Sequence, residues 1–482
     1  MSIGSDRSAS NVSRIMDSFL ERHHLLVEDA PWELRPSPLG GLGVFAKRDL
    51  HPGEVIFRDY PVIMGPRCLA ESTDICVSCY RKQDIIPCNK KCGLSLCTNC
   101  QTSPDHKREC EFIRQRINVE ITQELTHYLI NSLAPLRSIF LSTQDKEVVL
   151  YLKAHKGHHH GFEVDLLMDK ANCKMAQEEK EFLKFVCAVL DTNAFELVVR
   201  NGDDQTSLRG LYPLGSLANH RCFPNAFHVF DDKQRMVTRA SVFIEKDEEI
   251  FHSYTKILWG TSSRLLHLKE TKHFVCKCER CVDPTEFGTY MNAISCTRCK
   301  GNVLPILPQK NCDWRCEGCM KVVSVKEVGK TLTLIGSVMR SFRNCNFNVM
   351  YSFLKGKLSQ MVPDSNQAVL ELKCKIIWYL GYTPGFEWKD LPLETLVLKK
   401  RFCSDIIEIL VKLKVGLCKI KGLLLYEIYL CTEEINKRKV NTVEKDEVDY
   451  LKEAIDILKF DASASKLITA GRSDLNGNGY GS

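Results

Sequence analysis

Apolar positions change their spacing several times along the chain, and each change predicts a change of element. In residues 5–31, Ile15, Phe19, Leu20, Leu25 and Leu26 fall at helical intervals and predict an N-terminal helical arm. Residues 32–35, 54–58 and 61–64 are short apolar runs between Gly- and Pro-rich turns, and predict strands. Helical spacing returns over 112–190, where Ile121, Leu125, Tyr128, Leu129 and Leu133 make one apolar face. The stretch 191–196 ends it, and strand texture resumes at 210–213, 227–230, 235–239 and 249–254. A short helix is expected over 262–269. From 326 to 466 the stripes are helical throughout, with breaks at 381–384 and 437–442. A TPR-like array and an irregular helical bundle both fit this last region, since no clean repeat of about 34 residues is visible. The class is therefore α+β, with a β-rich first half, a helical insert and an all-helical C-terminal domain.

Two stretches are chemically dense. Asn219-His220-Arg221-Cys222-Phe223-Pro224-Asn225 packs two amides, an imidazole and a thiol around a rigid proline. Pro224 pushes Phe223 towards extended backbone, which predicts a shaped loop. About thirty residues on, Glu248 to Tyr254 reads as a strand ending in a phenol. Polar groups converging on a tyrosine describe either a satisfied buried turn or a site.

Composition removes several function classes. The 482 residues are too many for one ordinary core. A net charge of +6 is too mild to imply nucleic-acid binding, and the basic residues of the first cysteine cluster are ordinary for a metal module. No run of eighteen apolar residues predicts a membrane span. Residues 1–14 are polar and Ser-rich with no apolar core, so no secretory signal is expected, and 471–482 reads as a disordered tail.

Cysteine changes the picture most. There are 24. Without an export signal, short regular Cys spacings point to metal and not to disulfides. Cys76, Cys79, Cys88, Cys92, Cys97, Cys100, His106 and Cys110 provide eight ligands, enough for two tetrahedral zinc ions. Interleaving suggests Cys76, Cys79, Cys97 and Cys100 on one ion, and Cys88, Cys92, His106 and Cys110 on the other. Sites closed by four protein ligands are structural, and in so small a module metal supplies the folding energy. Cys276, Cys278 and Cys281 are one ligand short, and Cys222 can be the fourth. Cys296, Cys299, Cys316 and Cys319 have zinc-ribbon spacing, with Cys312 a substitute nearby. The nine remaining cysteines, Cys68, Cys173, Cys187, Cys312, Cys345, Cys374, Cys403, Cys418 and Cys431, read mostly as core residues. The run His158-His159-His160 reads as a solvated loop.

Four blocks in order now carry a family resemblance. Gly41-Leu42-Gly43, Asn219-His220-x-Cys222-x-Pro224-Asn225, Glu248-Glu249-Ile250-x3-Tyr254 and Cys276-x-Cys278-x2-Cys281 resemble the blocks of a SET-domain lysine methyltransferase. The finger at 76–110 resembles a MYND finger, although three residues separate Cys88 from Cys92 and two separate Cys97 from Cys100. Its place between the first block and the rest is similar to the SET and MYND domain-containing (SMYD) family. The run Asp283 to Tyr290 and the extra ribbon look like its arthropod branch. The implied organisation is an arm (1–30), the first SET part (31–70), the finger (76–110), a helical insert (111–190), the SET core (191–255), a post-SET zinc region (256–290), ribbon-like knuckles (291–325), a helical domain (326–466) and a tail (467–482).

The resemblance implies S-adenosylmethionine (AdoMet) as cofactor and about four structural Zn2+ ions. It implies cofactor contacts at Gly40, Gly41, Leu42, Asn193, Asn219, His220, Tyr254 and Phe274. It implies Tyr254 as the active-site tyrosine and Tyr212 as a wall of the lysine channel. It further implies a monomeric protein-lysine methyltransferase of the nucleus or cytoplasm, acting in transcriptional regulation on a protein substrate, histone or not. A non-enzymatic scaffold recruiting proline-rich partners through the finger is the other reading. Asp247 and Leu42 depart from the pattern, standing where glycine and a polar residue are common.

Overall fold

The computed structural model describes residues 7–67, 74–117, 119–155, 160–201, 204–342, 345–438, 449–461 and 464. The expected tail, Cys68, His158 and His159 lie outside them. The arm is α1 (Ala9–Arg22). Ser8 caps it by accepting from the Asn11 N–H, and Val12, Ile15, Met16 and Phe19 bury one face at helical spacing.

Strands β1 (Trp32–Pro36) and β2 (Leu42–Ala46) form a hairpin. Its turn needs left-handed backbone at Gly40 (φ +93°) and Gly41 (φ +77°), which glycine adopts without a Cβ clash. Next come β3 (Val55–Asp59) and β4 (Ile63–Pro66). A long excursion follows. The finger contributes β5 (Ile85–Pro87), β6 (Ser95–Cys97) and α2 (Pro104–Arg116). The helical insert contributes α3 (Gln123–Arg137), α4 (Thr143–Tyr151), α5 (Phe162–Lys170) and α6 (Gln177–Asn193). The chain returns through β7 (Phe195–Asn201) and β8 (Asp204–Leu211). β8 pairs antiparallel with both β7 and β4, so the excursion leaves and re-enters through neighbouring strands. The strand β7 was not expected. Phe195-Glu196-Leu197-Val198-Val199 follows the helix with no break residue, and only its partner β8 makes the alternation pay off as a hairpin.

The remaining core strands are β9 (Asn219–His220), β10 (Ala226–Phe230), β11 (Met236–Ala240) and β12 (Glu249–His252). One sheet has the order β1-β2-β12-β9 and another β10-β11-β3. In the first, β12 runs antiparallel to β2 and parallel to β9, with Phe251 opposite Asn219 and His252 opposite His220. The two dense stretches of the sequence are therefore hydrogen-bonded neighbours. Asp59 fixes the approach to β9. Its buried carboxylate accepts from the N–H groups of Tyr60 and Gly215, both at 2.8 Å. Burial pushes its pKa up to about 7. At Asp247 the turn before β12 has φ +69°, a left-handed conformation that explains why glycine suits this position. Asp247 is held there by Arg35 at 2.9 Å.

Past the core, α7 (Thr261–His267) runs into one π-turn over Leu268–Lys272, and α8 (Glu279–Val282) follows. The knuckle region is a small sheet of β13 (Ile294–Ser295), β14 (Asn302–Pro305), β15 (Trp314–Cys316) and β16 (Val322–Val323). The C-terminal domain comprises α9 (Val325–Ser341), α10 (Phe347–Phe353), α11 (Ser359–Met361), α12 (Gln367–Tyr379), α13 (Leu393–Lys412), α14 (Lys419–Arg438) and α15 (Tyr450–Leu458). From α12 onward each helix packs on the next, as in a TPR-like stack. Gln367 ties this domain to the core region, donating to Ser263 Oγ at 2.8 Å and accepting from the Gly260 N–H at 2.7 Å. Among the described residues no helix is long and apolar enough to cross a membrane.

Candidate active site and zinc centres

Sixteen Cys and His residues converge as four clusters: Cys76, Cys79, Cys97 and Cys100; Cys88, Cys92, His106 and Cys110; Cys222, Cys276, Cys278 and Cys281; and Cys296, Cys299, Cys316 and Cys319. The ligand atoms of each lie within 4.8 Å of one another. Sulfur pairs stand at 3.7 Å (Cys79–Cys97), 3.8 Å (Cys88–Cys110), 3.4 Å (Cys222–Cys281) and 3.7 Å (Cys296–Cys319). A disulfide needs about 2.05 Å. A tetrahedron with Zn–S near 2.3 Å has edges of about 3.8 Å, so donor set and spacing both fit zinc with no open position. Cys312 stands outside the ribbon cluster, its thiol facing the Leu307 carbonyl at 3.4 Å. His160 is not a freely solvated loop residue: its Nδ1 meets Asp191 at 2.7 Å.

The third cluster is built into the site. His220 Nδ1 accepts from the Tyr254 N–H at 2.9 Å, so its proton sits on Nε2, which faces Cys222 Sγ at 3.2 Å. Burial drives its pKa down to about 3, and the ring stays neutral. The imidazole thus links the zinc thiolate to the segment carrying Tyr254, an outer-shell contact of the kind that orients ligands. Asn219 Nδ2 donates to Glu249 Oε1 at 2.6 Å and to the Leu42 carbonyl at 3.0 Å. Glu249 Oε2 accepts from Ser37 at 2.9 Å. A Cβ on Gly43 would meet Glu249 Oε1, so glycine there lets this carboxylate under the hairpin. Glu249 was missed as the buried acceptor joining the Gly-rich turn to Asn219. Asn225 supports the same strand, donating to the Glu249 carbonyl at 2.8 Å and accepting from the Phe251 N–H at 2.7 Å.

Tyr254 donates its hydroxyl to the Ala218 carbonyl at 2.7 Å. Burial, with Glu249 nearby, raises its pKa well above the phenol range, so it is a donor and not a base. It lines a cavity of about 240 Å³ with Asn193, Phe195, Ser216, His228 and Lys272. Asn193 spends its amide on the carbonyls of Lys153 (2.7 Å) and Val189 (2.8 Å). Phe274 packs beside the His220 ring, centroids 5.9 Å apart. Asn219 thus meets Leu42, His220 meets Tyr254 and Phe274, Gly40 and Gly41 form the turn before Leu42, and Asn193 shares the cavity lining with Tyr254. Tyr212 stands apart from that cavity's lining. It is fully buried against Phe195 and Phe230, and its hydroxyl is committed to the Gln234 carbonyl at 2.6 Å. Its raised pKa has the same cause, burial.

The Asp283 to Tyr290 run has a physical purpose. Asp283 accepts from the Thr285 and Phe287 N–H groups at 2.9 and 2.7 Å, holding a turn with positive φ at Glu286, Phe287 and Gly288. The turn aims Glu286 between Arg264 (2.6 Å) and Arg280 (3.0 Å), all three wholly buried. Arg264 also reaches Cys281 Sγ at 3.4 Å, and Arg280 the Cys222 carbonyl at 3.1 Å. Two guanidiniums and one carboxylate give one net positive charge beside a zinc tetrathiolate of formal charge −2. Arg280→Met is expected to lower stability by about 3–5 kcal/mol, read as a fall in thermal midpoint, because it leaves a buried carboxylate short of a partner. Nothing in their sequence positions marked Arg264 and Arg280 as partners of this loop.

A SET-domain family model matches residues 41–255. "SET domain-containing protein SmydA-8, isoform A" of Drosophila melanogaster is 32% identical over 437 residues, 88% of this chain and 93% of that protein. The chain belongs to the SET and MYND domain-containing (SMYD) family. Its match to fly proteins accords with the arthropod branch. Other members and relatives align over less. "Histone-lysine N-methyltransferase ASHR1" of Arabidopsis thaliana is 27% identical, covering 61% of this chain and 65% of its own. "Histone-lysine N-methyltransferase SMYD3" of Homo sapiens is 28% identical, covering 50% and 59%. A solved SET domain of LSMT bound to lysine and AdoHcy superposes over 92% of this chain and 99% of its own, with 13% identity and a TM-score of 0.28, too low to carry an argument.

Proposed function

We propose that this SMYD protein is an AdoMet-dependent protein-lysine N-methyltransferase. The observation that carries the reading is the joint between Tyr254 and the zinc-anchored loop. His220 holds the Tyr254 segment, Cys222 holds the post-SET segment, and Asn219 holds the Gly-rich turn, so one seven-residue stretch ties three separate segments together at the site.

AdoMet would supply a methyl group on a sulfonium. The Gly40-Gly41 turn offers backbone with no side chain in the way, and Asn219, His220 and Phe274 would bound the cofactor. Acceptor lysine must arrive neutral, although its reference pKa is near 10.4. The half-apolar cavity at Phe195 and Tyr254 disfavours the ammonium. The methyl group would come from AdoMet, and this chain's own part is to hold the acceptor amine neutral and in line with it until the product nitrogen gives up its proton to water. Tyr254 and the Ala218 carbonyl orient the partners, and positioning supplies much of the rate. The substrate is a protein lysine in the nucleus or cytoplasm. Incubating purified protein with labelled AdoMet and a cell lysate, then mapping methylated lysines, tests the reading. Label on lysine ε-nitrogens that is lost in Tyr254→Phe supports it. No label, with no AdoMet binding by calorimetry, overturns it.

A further inference from the structure

The cavity in front of Tyr254 contains a cation that methyl transfer as described does not use. Lys272 closes the π-turn of residues 268–272, two positions before Phe274. Its side chain is half-buried and lines the cavity. Nζ donates to the Thr192 carbonyl at 2.5 Å and stands 5.7 Å from the centroid of the Tyr254 ring. The ammonium is therefore held at two elements, α6 and the segment after β12, and cannot swing away without losing a partly buried hydrogen bond.

One carboxylate offsets part of its charge, and the other groups around it are neutral or paired. On α6, Asp191 attracts the ammonium but is shared with His160 at 2.7 Å and Arg209 at 4.0 Å. On β7, Glu196 pairs with Arg67 at 2.9 Å. On β10, burial drives His228 down to about 4, so it is neutral. Behind it, burial also holds His252 neutral, and its ring nitrogens are buried without a hydrogen-bond partner. On α7, His267 is lowered by burial and then by Lys272 itself. Tyr254 stays protonated. Lys272 is lowered by burial and raised by Asp191.

We propose that Lys272 is a specificity-determining residue of the acceptor channel: its ammonium, fixed on the Thr192 carbonyl beside Tyr254, excludes a second ammonium and so admits the acceptor lysine as the neutral amine. This rests on the methyltransferase reading. A like charge a few ångströms away disfavours the charged form of the newcomer. The acceptor's apparent pKa falls, and the acid limb of the rate profile lies at lower pH than it would without Lys272. The effect ends where Lys272 itself loses its proton.

The test uses the full zinc-loaded chain, labelled AdoMet and a degenerate peptide library centred on lysine, with kcat at saturating peptide, which reports the bound lysine, followed from acid to alkaline pH. Lys272→Met should move the acid limb up by about one pH unit, a roughly tenfold loss at fixed pH below the limb, with recovery at high pH. Lys272→Arg keeps the charge and should keep the wild-type limb. A purely structural role would lower the rate at every pH and leave the limb in place. An active wild type whose limb Lys272→Met does not move overturns this inference alone, as does methyl label found on Lys272 itself. A wild-type chain that transfers no methyl group at any pH overturns the underlying reading, and this one with it.

Discussion

Cys222→Ala is expected to lower zinc from four ions per chain to three by metal analysis, and to abolish AdoMet binding by calorimetry. The thiol stands 3.4 Å from Cys281 and 3.9 Å from Cys276, inside the cluster that the post-SET segment supplies. Loss of one ligand leaves three thiolates and two buried arginines with no ion to organise them. Structural zinc in small modules is worth on the order of 10 kcal/mol, so the loss should be larger than that of any core truncation here. The finger clusters share no ligand with it and should keep their two ions. A chain that still binds four zinc ions after the change would separate Cys222 from the cluster.

Tyr254→Phe is expected to reduce kcat on the order of 10²-fold while AdoMet affinity changes little. The ring keeps its packing against His220, with centroids 5.2 Å apart, and the backbone N–H keeps its bond to His220 Nδ1. Only the donor to the Ala218 carbonyl is removed. Because the phenol is held protonated by burial, the variant should lower the rate evenly across pH and leave the acid limb where the wild type has it. A rate unchanged in the variant, with AdoMet still bound, would assign the chain to binding and not to transfer.

Much of this was legible in the residues, for identifiable reasons. Zinc ligation is local chemistry, so Cys76-x2-Cys79 or Cys316-x2-Cys319 announces itself at the spacing a tetrahedron demands. The Asn219 and Tyr254 stretches were readable because their polar groups are dense. What escaped were pairings made only by the fold. Glu249 beneath Gly43, and Glu286 between Arg264 and Arg280, are ordinary carboxylates until a sheet edge or a left-handed turn aims them. Tyr212 sits in a motif that invites a channel role, but just past β8 its hydroxyl is committed to the Gln234 carbonyl. Lys272 lines the cavity beside Tyr254, from a segment read in the sequence only for Phe274 and the cysteines after it.

The neighbouring exits of β4 and β8 have a consequence for how the chain acquires its shape. Pro66 pairs with Leu208, so the chain between them is closed into a loop at this seam. Closing a flexible loop costs only about 0.6 kcal/mol more for each doubling of its length. The seam therefore sets little limit on what it encloses, and metal lets the finger fold without waiting for it. Lengthening or trimming the excursion away from the seam should shift the refolding rate through contact order more than it shifts the equilibrium.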